Sequence, residues 1–247
     1  MIPRIIHQSW KTNDVPEPWL ALQKTWRSLH ASYEYRFWTD DDNRNLIVRH
    51  YSEHLELYES YPLGIHRAEL ARYLVLRHHG GLYVDLDFEA LRPIDDLLAG
   101  ASLLFGLEPA SHAAREPVRK RGFSRIVCNA LMASAPAHPF WDYLLARLIA
   151  ARGESNVLDA TGPFLLTQAC ETYPQMQGIV FAPAKLLYPV DVEEARHLDA
   201  DAIRAKAEGA YAIHHWSGSW WRDSLLARAR QRMKRDGANE GREEDRR

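Results

Sequence analysis

One block of the chain constrains its fold more than any other: GIHRAELARYLVLRHHGGLYVDLDF, residues 64–88. Its first sixteen residues read as a helix. Gly80-Gly81 can end that helix, because glycine adopts left-handed backbone at no steric cost. LYVDLDF then reads as a strand, rich in aromatic and apolar side chains. Eight residues separate Arg72 from Gly80, roughly 12 Å at helical rise. Four separate Gly81 from Asp85, roughly 13 Å at strand rise. The helix descends, the glycines turn the chain, and the strand climbs back. Arg72 and Asp85 are therefore expected at one height, facing one cleft.

The flanks extend this unit into a layered domain. Residues 4–8 read as a short buried strand, and Pro16 and Pro18 open a helix carrying Trp19, Leu22 and Trp26. YEYRFW, residues 33–38, alternates as a strand, and Thr39 caps a helix whose first turn holds Asp40, Asp41 and Asp42. Further strands are expected at 103–107, 126–133, 178–182 and 211–215, with helices at 139–152 and from Thr161-Gly162-Pro163 onward. This order predicts an α/β domain, a mostly parallel sheet flanked by helices, over residues 1–221. Residues 222–247 are polar and Arg-rich, and read as a surface helix followed by a disordered tail. Residues 112–125, HAAREPVRKRGFSR, read as a long basic loop, a candidate lid.

Composition narrows the function. Hydrophobic residues make up 46% and the net charge is -2, so a globular protein is expected and nucleic acid is not the expected partner. No apolar run approaches the roughly 18–20 residues that span a bilayer, and MIPRIIHQSW lacks a leader's basic and apolar regions. A cytoplasmic location is expected, with peripheral contact to the inner membrane face through 112–125. Cys128 and Cys170 lack metal-type spacing and read as buried free thiols.

Asp85-Leu86-Asp87 ends an apolar strand, and leaving two carboxylates there without a counter-ion is costly. Two acids at i and i+2 of a strand project to one side, beyond the sheet's carboxyl edge, where α/β ligands bind. Oxygen ligands with open positions suit Mg²⁺ or Mn²⁺ on a diphosphate. Glu69 and Arg72 share a helix face. Either they pair with each other, or they offer a carboxylate to sugar hydroxyls and a guanidinium to phosphate. Arg67 is a further basic candidate or a helix-start charge. His7 reads as a core histidine. An alternative, a two-metal nucleotide-sugar hydrolase or nucleotidyltransferase, needs another acid, for which Glu89 is the near candidate. A non-catalytic glycan- or nucleotide-sugar-binding protein is the other alternative.

IPRIIHQSWKT, YEYRFWTDDD, the block from Tyr61 to Pro93 and HHWSGSW together resemble glycosyltransferase family 32, the Asp-x-Asp transferases that include fungal mannosyltransferases and bacterial capsule or lipopolysaccharide enzymes. The resemblance implies a GT-A-type fold, a nucleotide-sugar donor, Mn²⁺ or Mg²⁺, and retention of configuration, with mannose as first guess and galactose or glucose next. By motif, Asp87 is expected to bind metal and Asp85 to bind ribose or donor sugar while helping the metal. Glu69 and Arg72 are expected to hold the donor sugar and its phosphate, and Trp10 to stack on the base unless it is a core residue. Asn129 and Gly162 fall near the sugar pocket, and Trp216 and Ser217 near the donor. Of His214 and His215, which alternate on a strand, His215 is favoured as the third metal ligand from its spacing to Gly218. A glycan, lipid-linked or phosphorylated acceptor is implied in polysaccharide or glycolipid synthesis.

Overall fold

A computed structural model of the chain describes residues 1–218. Met1–Trp216 form one compact unit, and Ser217 and Gly218 are the described part of a second. The expected helix and tail at 222–247, and the boundary at 221, lie outside the described residues.

The first unit is built on a six-stranded sheet in the order β2-β1-β3-β6-β5-β7. Its strands are β1 (Ile5–Ser9), β2 (Glu34–Trp38), β3 (Gly81–Val84), β5 (Leu103–Leu107), β6 (Val127–Ser134) and β7 (Ile179–Ala182). β6 pairs antiparallel with both β3 and β5, while the β1–β2, β1–β3 and β5–β7 pairs are parallel. A small antiparallel pair, β4 (Phe88–Ala90) with β8 (Ala212–His214), lies beside it. No helix among the described residues is long and apolar enough to cross a membrane.

Side-chain alternation divides the core between the two sheet faces. Tyr83, Leu103, Phe105 and Met132 pack with Leu70 and Leu74 of the Gly64–His79 helix and with Trp141, Leu144 and Leu166. Leu82, Val84, Leu104 and Leu131 pack instead with Trp26 of the Glu17–Leu29 helix, Phe88 and Tyr188. Both cysteines are free and buried. The Asp40–His50 helix carries the expected cap, here a full capping box between Thr39 and Asp42.

The Gly64–His79 helix ends at Gly80, with φ 64°, followed by Gly81, with φ 90°. Side chains there are excluded twice over. A Cβ on Gly80 would lie 2.7 Å from the Ser134 carbonyl oxygen, and one on Gly81 2.7 Å from that of Ile5. The turn therefore presses the helix and strand into a register that only glycine allows.

Two expectations are corrected. LYVDLDF is not one strand: β3 stops at Val84, and Asp85–Asp87 form a turn in which Phe88 N–H donates to the Asp85 carbonyl at 3.2 Å. Asp85 N–H still donates to the Ala130 carbonyl at 2.8 Å. The break follows from pairing. Phe88 stays in the same core as Leu82 and Val84, its carbonyl accepting the Trp26 indole N–H at 3.0 Å, but Phe88–Ala90 pair with β8 instead of β6. Residues 112–125 are not a featureless loop either. They carry part of one short helix, Ala110–Ala113, and all of another, Glu116–Arg119, with Val118 buried against Ile126 and Phe164.

Candidate active site

Arg72 and Asp85 meet, as the counting of rises predicts. Arg72 Nη1 lies 3.2 Å from Asp85 Oδ1 and 3.3 Å from Oδ2, and donates to the Asn129 carbonyl at 2.9 Å. Its guanidinium lies over the Tyr83 ring, 4.7 Å from the centroid. Burial works against the Arg72 charge, but Asp85, then Tyr83 and Glu69, hold its pKa above the ordinary value. Burial pushes the Asp85 carboxyl up, Arg72 opposes the shift, and Asp87 adds to it. Arg72 Nε is buried without a hydrogen-bond partner among the described residues.

Glu69 does not pair with Arg72. Its carboxylate instead accepts from the Thr161 hydroxyl at Oε2 and from Asn129 Nδ2 at Oε1, the latter at 3.2 Å. Asn129 Nδ2 also donates to the Tyr73 hydroxyl at 3.0 Å, and Tyr73 donates to the Thr161 carbonyl at 2.8 Å. All four residues are buried. Burial, the largest influence, raises the Glu69 pKa to about 7, against the pull of Arg72 and of its own hydrogen bonds. Gly162 leaves room for this arrangement: a Cβ there would approach Glu69 Oε1 to 3.3 Å and the Leu158 Cα to 2.9 Å.

On the other side of the turn, β4 and β8 decide which histidine reaches the acids. Their register pairs Phe88 with His214, and His215 N–H donates to the Asp87 carbonyl at 2.9 Å. The His214 ring thereby points at Asp87, with Nε2 3.1 Å from Oδ1. It lies between Phe88, parallel at 4.5 Å, and Trp216, tilted at 4.1 Å. Its Nδ1 is buried without a hydrogen-bond partner among the described residues. His215 faces away, with Nε2 3.1 Å from Glu89 Oε2, and Glu89 also pairs with Arg204. The ring beside Asp87 is therefore that of His214, while His215, the ring favoured as a metal ligand, lies beside Glu89. Glu89, the extra acid of the two-metal alternative, is already matched by Arg204 and His215.

Comparison with known proteins follows this geometry. The family of glycosyltransferase sugar-binding regions containing a DXD motif matches residues 16–104, which include Glu69, Arg72, Asp85 and Asp87. Inositol phosphoceramide mannosyltransferase 2 of Schizosaccharomyces pombe is 38% identical over 183 residues, 70% of this chain and 47% of that protein. Mannosyl phosphorylinositol ceramide synthase SUR1 of Saccharomyces cerevisiae is 37% identical over 194 residues, 76% of this chain and 47% of that protein. Residues 16–104 of the chain belong to this family of DXD glycosyltransferase sugar-binding regions. The chain spans about half the length of these relatives. Among solved structures, the PaToxG glycosyltransferase matches with a TM-score of 0.50 and 18% identity over 70% of each chain. An active-site mutant of LgtC matches with a TM-score of 0.50 and 12% identity over 91% of this chain and 95% of that one. At these identities the likeness is one of fold, of the GT-A type.

Within the transferase fold, the remaining expected residues are spread around this centre. Trp10, half-buried just after β1, packs edge-on against Trp19 at 4.6 Å, with Lys11 Nζ 5.3 Å from its ring. Arg67 donates to the Tyr61 carbonyl at 2.7 Å, which ties the start of the long helix rather than reaching Asp85. Trp216 donates to the Val190 carbonyl at 2.9 Å and has φ 51°, uncommon for a bulky side chain. Ser217, of the second unit, is half-buried. His7 is a core histidine: Trp38 Nε1 donates to its Nδ1 at 3.1 Å, so Nε2 carries the proton and donates to the Gly80 carbonyl at 2.9 Å. Sequence reading missed Tyr73, Tyr83 and Gln8, whose Nε2 donates to the Asp85 carbonyl at 3.4 Å. Tyr73 follows Glu69 by one helical turn and Tyr83 precedes Asp85 by two strand residues, the available signals for both.

Proposed function

We propose that the chain moves a hexose from a nucleoside-diphosphate sugar to a glycan or glycolipid acceptor, with a divalent cation and retention of anomeric configuration. One observation carries this reading. A single turn presents Asp85 to a buried arginine and Asp87 to an imidazole, and that arginine bonds the backbone of an asparagine whose amide meets a buried carboxylate. A diphosphate needs cations, and a sugar needs fixed acceptors and donors. Family membership and the names of the mannosyltransferase relatives support mannose as the first donor sugar to test.

The donor set fits a cation of the Mn²⁺ or Mg²⁺ class. Asp87 Oδ1 and His214 Nε2 converge, Asp85 is two residues away, and oxygen with imidazole suits Mn²⁺ in particular. Among the described residues no three His, Cys, Asp or Glu close around one point. An ion shared with a diphosphate needs coordination positions for phosphate oxygens and water. Asp87 and His214 would hold the ion, with Asp85 assisting. When bound, it would supply positive charge against the charge that builds on the departing diphosphate. Arg72 would hold phosphate or sugar oxygens while Asp85 fixes its orientation. Glu69 and Asn129 would read sugar hydroxyls.

The S. pombe relative is named for inositol phosphoceramide, an anionic lipid. An acceptor of that class fits the exposed Arg115 and Arg119. Their segment is tied to the His214 side, because the His112 ring packs 4.8 Å from Trp216. The two-metal hydrolase reading lacks support, since Glu89 is engaged elsewhere.

Nucleotide release from GDP-mannose, UDP-galactose and UDP-glucose, with and without acceptor and Mn²⁺, tests the proposal. Acceptor-stimulated, Mn²⁺-dependent release from one donor is the expected result, and NMR of the product reads its anomeric configuration. Release that ignores every acceptor while forming free sugar would favour hydrolysis.

A further inference from the structure

Glu69, Asn129, Tyr73 and Thr161 form a closed ring of hydrogen bonds. From Glu69 Oε1 it passes to Asn129 Nδ2, then to the Tyr73 hydroxyl, then to the Thr161 carbonyl, and returns from the Thr161 hydroxyl to Glu69 Oε2. Three separate elements close it: the Gly64–His79 helix, β6, and the turn that precedes the Pro163–Thr172 helix. Tyr73 is the member that faces both ways. Its oxygen accepts from Asn129 and donates to the Thr161 backbone, so its proton and lone pair are both committed. One Asn129 amide hydrogen bonds to Tyr73 and the other to Glu69, so the amide cannot flip without breaking both bonds. Each Glu69 oxygen takes one side-chain hydrogen bond and keeps a further lone pair.

We propose that Tyr73 and Thr161 are positioning residues for the donor sugar: they hold the Glu69 carboxylate and the Asn129 amide in the one arrangement that reads sugar hydroxyls, and contribute nothing to the grip on the diphosphate. The inference rests on the transferase reading above and deepens it. The division follows from the bonds. Arg72 touches this ring only through the Asn129 backbone carbonyl, and its side-chain partner is Asp85. Breaking the ring therefore disturbs hydroxyl recognition while the Arg72–Asp85 contact stays in place. The carboxylate also needs the ring for its charge. Arg72 and Tyr73 on its own helix, Asp85 on the turn after β3 and Tyr61 ahead of the helix are the charged and titratable groups that act on Glu69. Burial raises its pKa to about 7, with the Thr161 and Asn129 bonds acting in the opposite sense. Ionised Glu69 accepts hydroxyls, so sugar affinity should be full above the Glu69 pKa and fall as pH drops through it. Loss of the Thr161 hydroxyl moves that fall to higher pH.

The test compares Tyr73→Phe, Thr161→Val and Thr161→Ser with the wild type. Calorimetry with Mn²⁺ present measures GDP-mannose, UDP-galactose and UDP-glucose against GDP and UDP, from pH 5.5 to 8.5. For the donor that the wild type prefers, Tyr73→Phe and Thr161→Val should bind the nucleotide sugar about tenfold more weakly. The matching nucleoside diphosphate should bind as in the wild type. Thr161→Ser, which restores the hydroxyl, should recover most of the loss, and Thr161→Val should shift the pH midpoint upward. Equal weakening of sugar and diphosphate would overturn the inference in favour of a merely structural role, and unchanged sugar affinity would overturn it outright. Diphosphate binding reports folding in each variant, and if Tyr73→Phe does not fold, the Thr161 pair decides. A wild-type protein that binds the diphosphates but none of the sugars any better, and transfers none, would overturn the transferase reading itself.

Discussion

The two sides of the Asp85–Asp87 turn are built on opposite plans. The side facing Glu69 is closed: Glu69, Asn129, Tyr73 and Thr161 are buried and bonded to one another. The side facing His214 is open. Asp85 leaves 27% of its side chain exposed. A neutral sugar is best read by fixed donors and acceptors, whereas a diphosphate with its ion needs groups that are still available. The difference predicts how substitutions divide between function and stability.

The largest expected effect is on the open side. Asp87→Asn removes a charged ligand at nearly constant volume. Transfer is expected to fall by at least about a thousandfold, as loss of stabilisation of the leaving charge implies, with the melting temperature almost unchanged. A soluble Asp87→Asn protein with wild-type kcat at limiting Mn²⁺ would remove the ion from this side. Arg72→Lys comes next, with about a hundredfold loss in kcat/KM. Arg72 bonds the Asn129 carbonyl and Asp85 through Nη1 while its guanidinium plane lies over Tyr83, a stacked geometry that an ammonium lacks.

The closed side should break the other way. Asn129→Ala removes the hydrogen bond to Glu69 Oε1 and one of the two at the Tyr73 hydroxyl, which keeps its bond to the Thr161 carbonyl. It is expected to cost about 2 kcal/mol of stability, or roughly 4–8 °C in melting temperature for a chain of this size. Thermal unfolding without ligand measures this directly. A melting temperature equal to that of Asp87→Asn would erase the contrast between the two sides.

Much of the contrast could be read from sequence, and what could not depended on distant pairing. Helix and strand rise placed Arg72 opposite Asp85 because both numbers are local and Gly80-Gly81 fixed the turn. The same-side argument for Asp85 and Asp87 required a continuous strand. That strand breaks at Val84 because Phe88–Ala90 pair with β8, far away in sequence. Alternation showed that only one of His214 and His215 could reach Asp87, but the choice lies in the β4–β8 register, which no local pattern encodes. Tyr73 and Tyr83 escape sequence reading because a buried ring looks the same whether or not its hydroxyl is used. The histidine assignment leads to a sharper test. In a Mn²⁺ titration His214→Ala should raise the activation constant about tenfold and His215→Ala much less. The reverse ranking would move the open side's imidazole to His215.

The smallest effect is expected beyond the open side, in the basic segment. Counted as sequence, residues 112–125 hold five basic side chains against one acid. Folded, most of them have partners. Arg121 forms a forked pair with Asp159 at 2.7 and 2.6 Å, Lys120 pairs with Glu116 at 2.7 Å, and the Arg125 guanidinium lies over the Phe181 ring. Val118 anchors the segment to Ile126 and Phe164. Arg115 and Arg119 are exposed, so they are the two cations best placed to meet an anionic acceptor. Each such residue near an anionic membrane contributes about 1 kcal/mol, screened by salt. Arg115→Ser with Arg119→Ser is expected to raise the KM for a phosphorylated lipid acceptor severalfold and to flatten its salt dependence, with donor KM unchanged. Arg121→Ser should act differently, loosening the segment through loss of the Asp159 pair and lowering the melting temperature slightly. Kinetics with acceptor in vesicles of graded anionic lipid content separate the two. If the double variant's acceptor KM does not respond to anionic lipid or salt any differently from that of the wild type, this segment has no part in acceptor recognition, and the contrast ends at the turn itself.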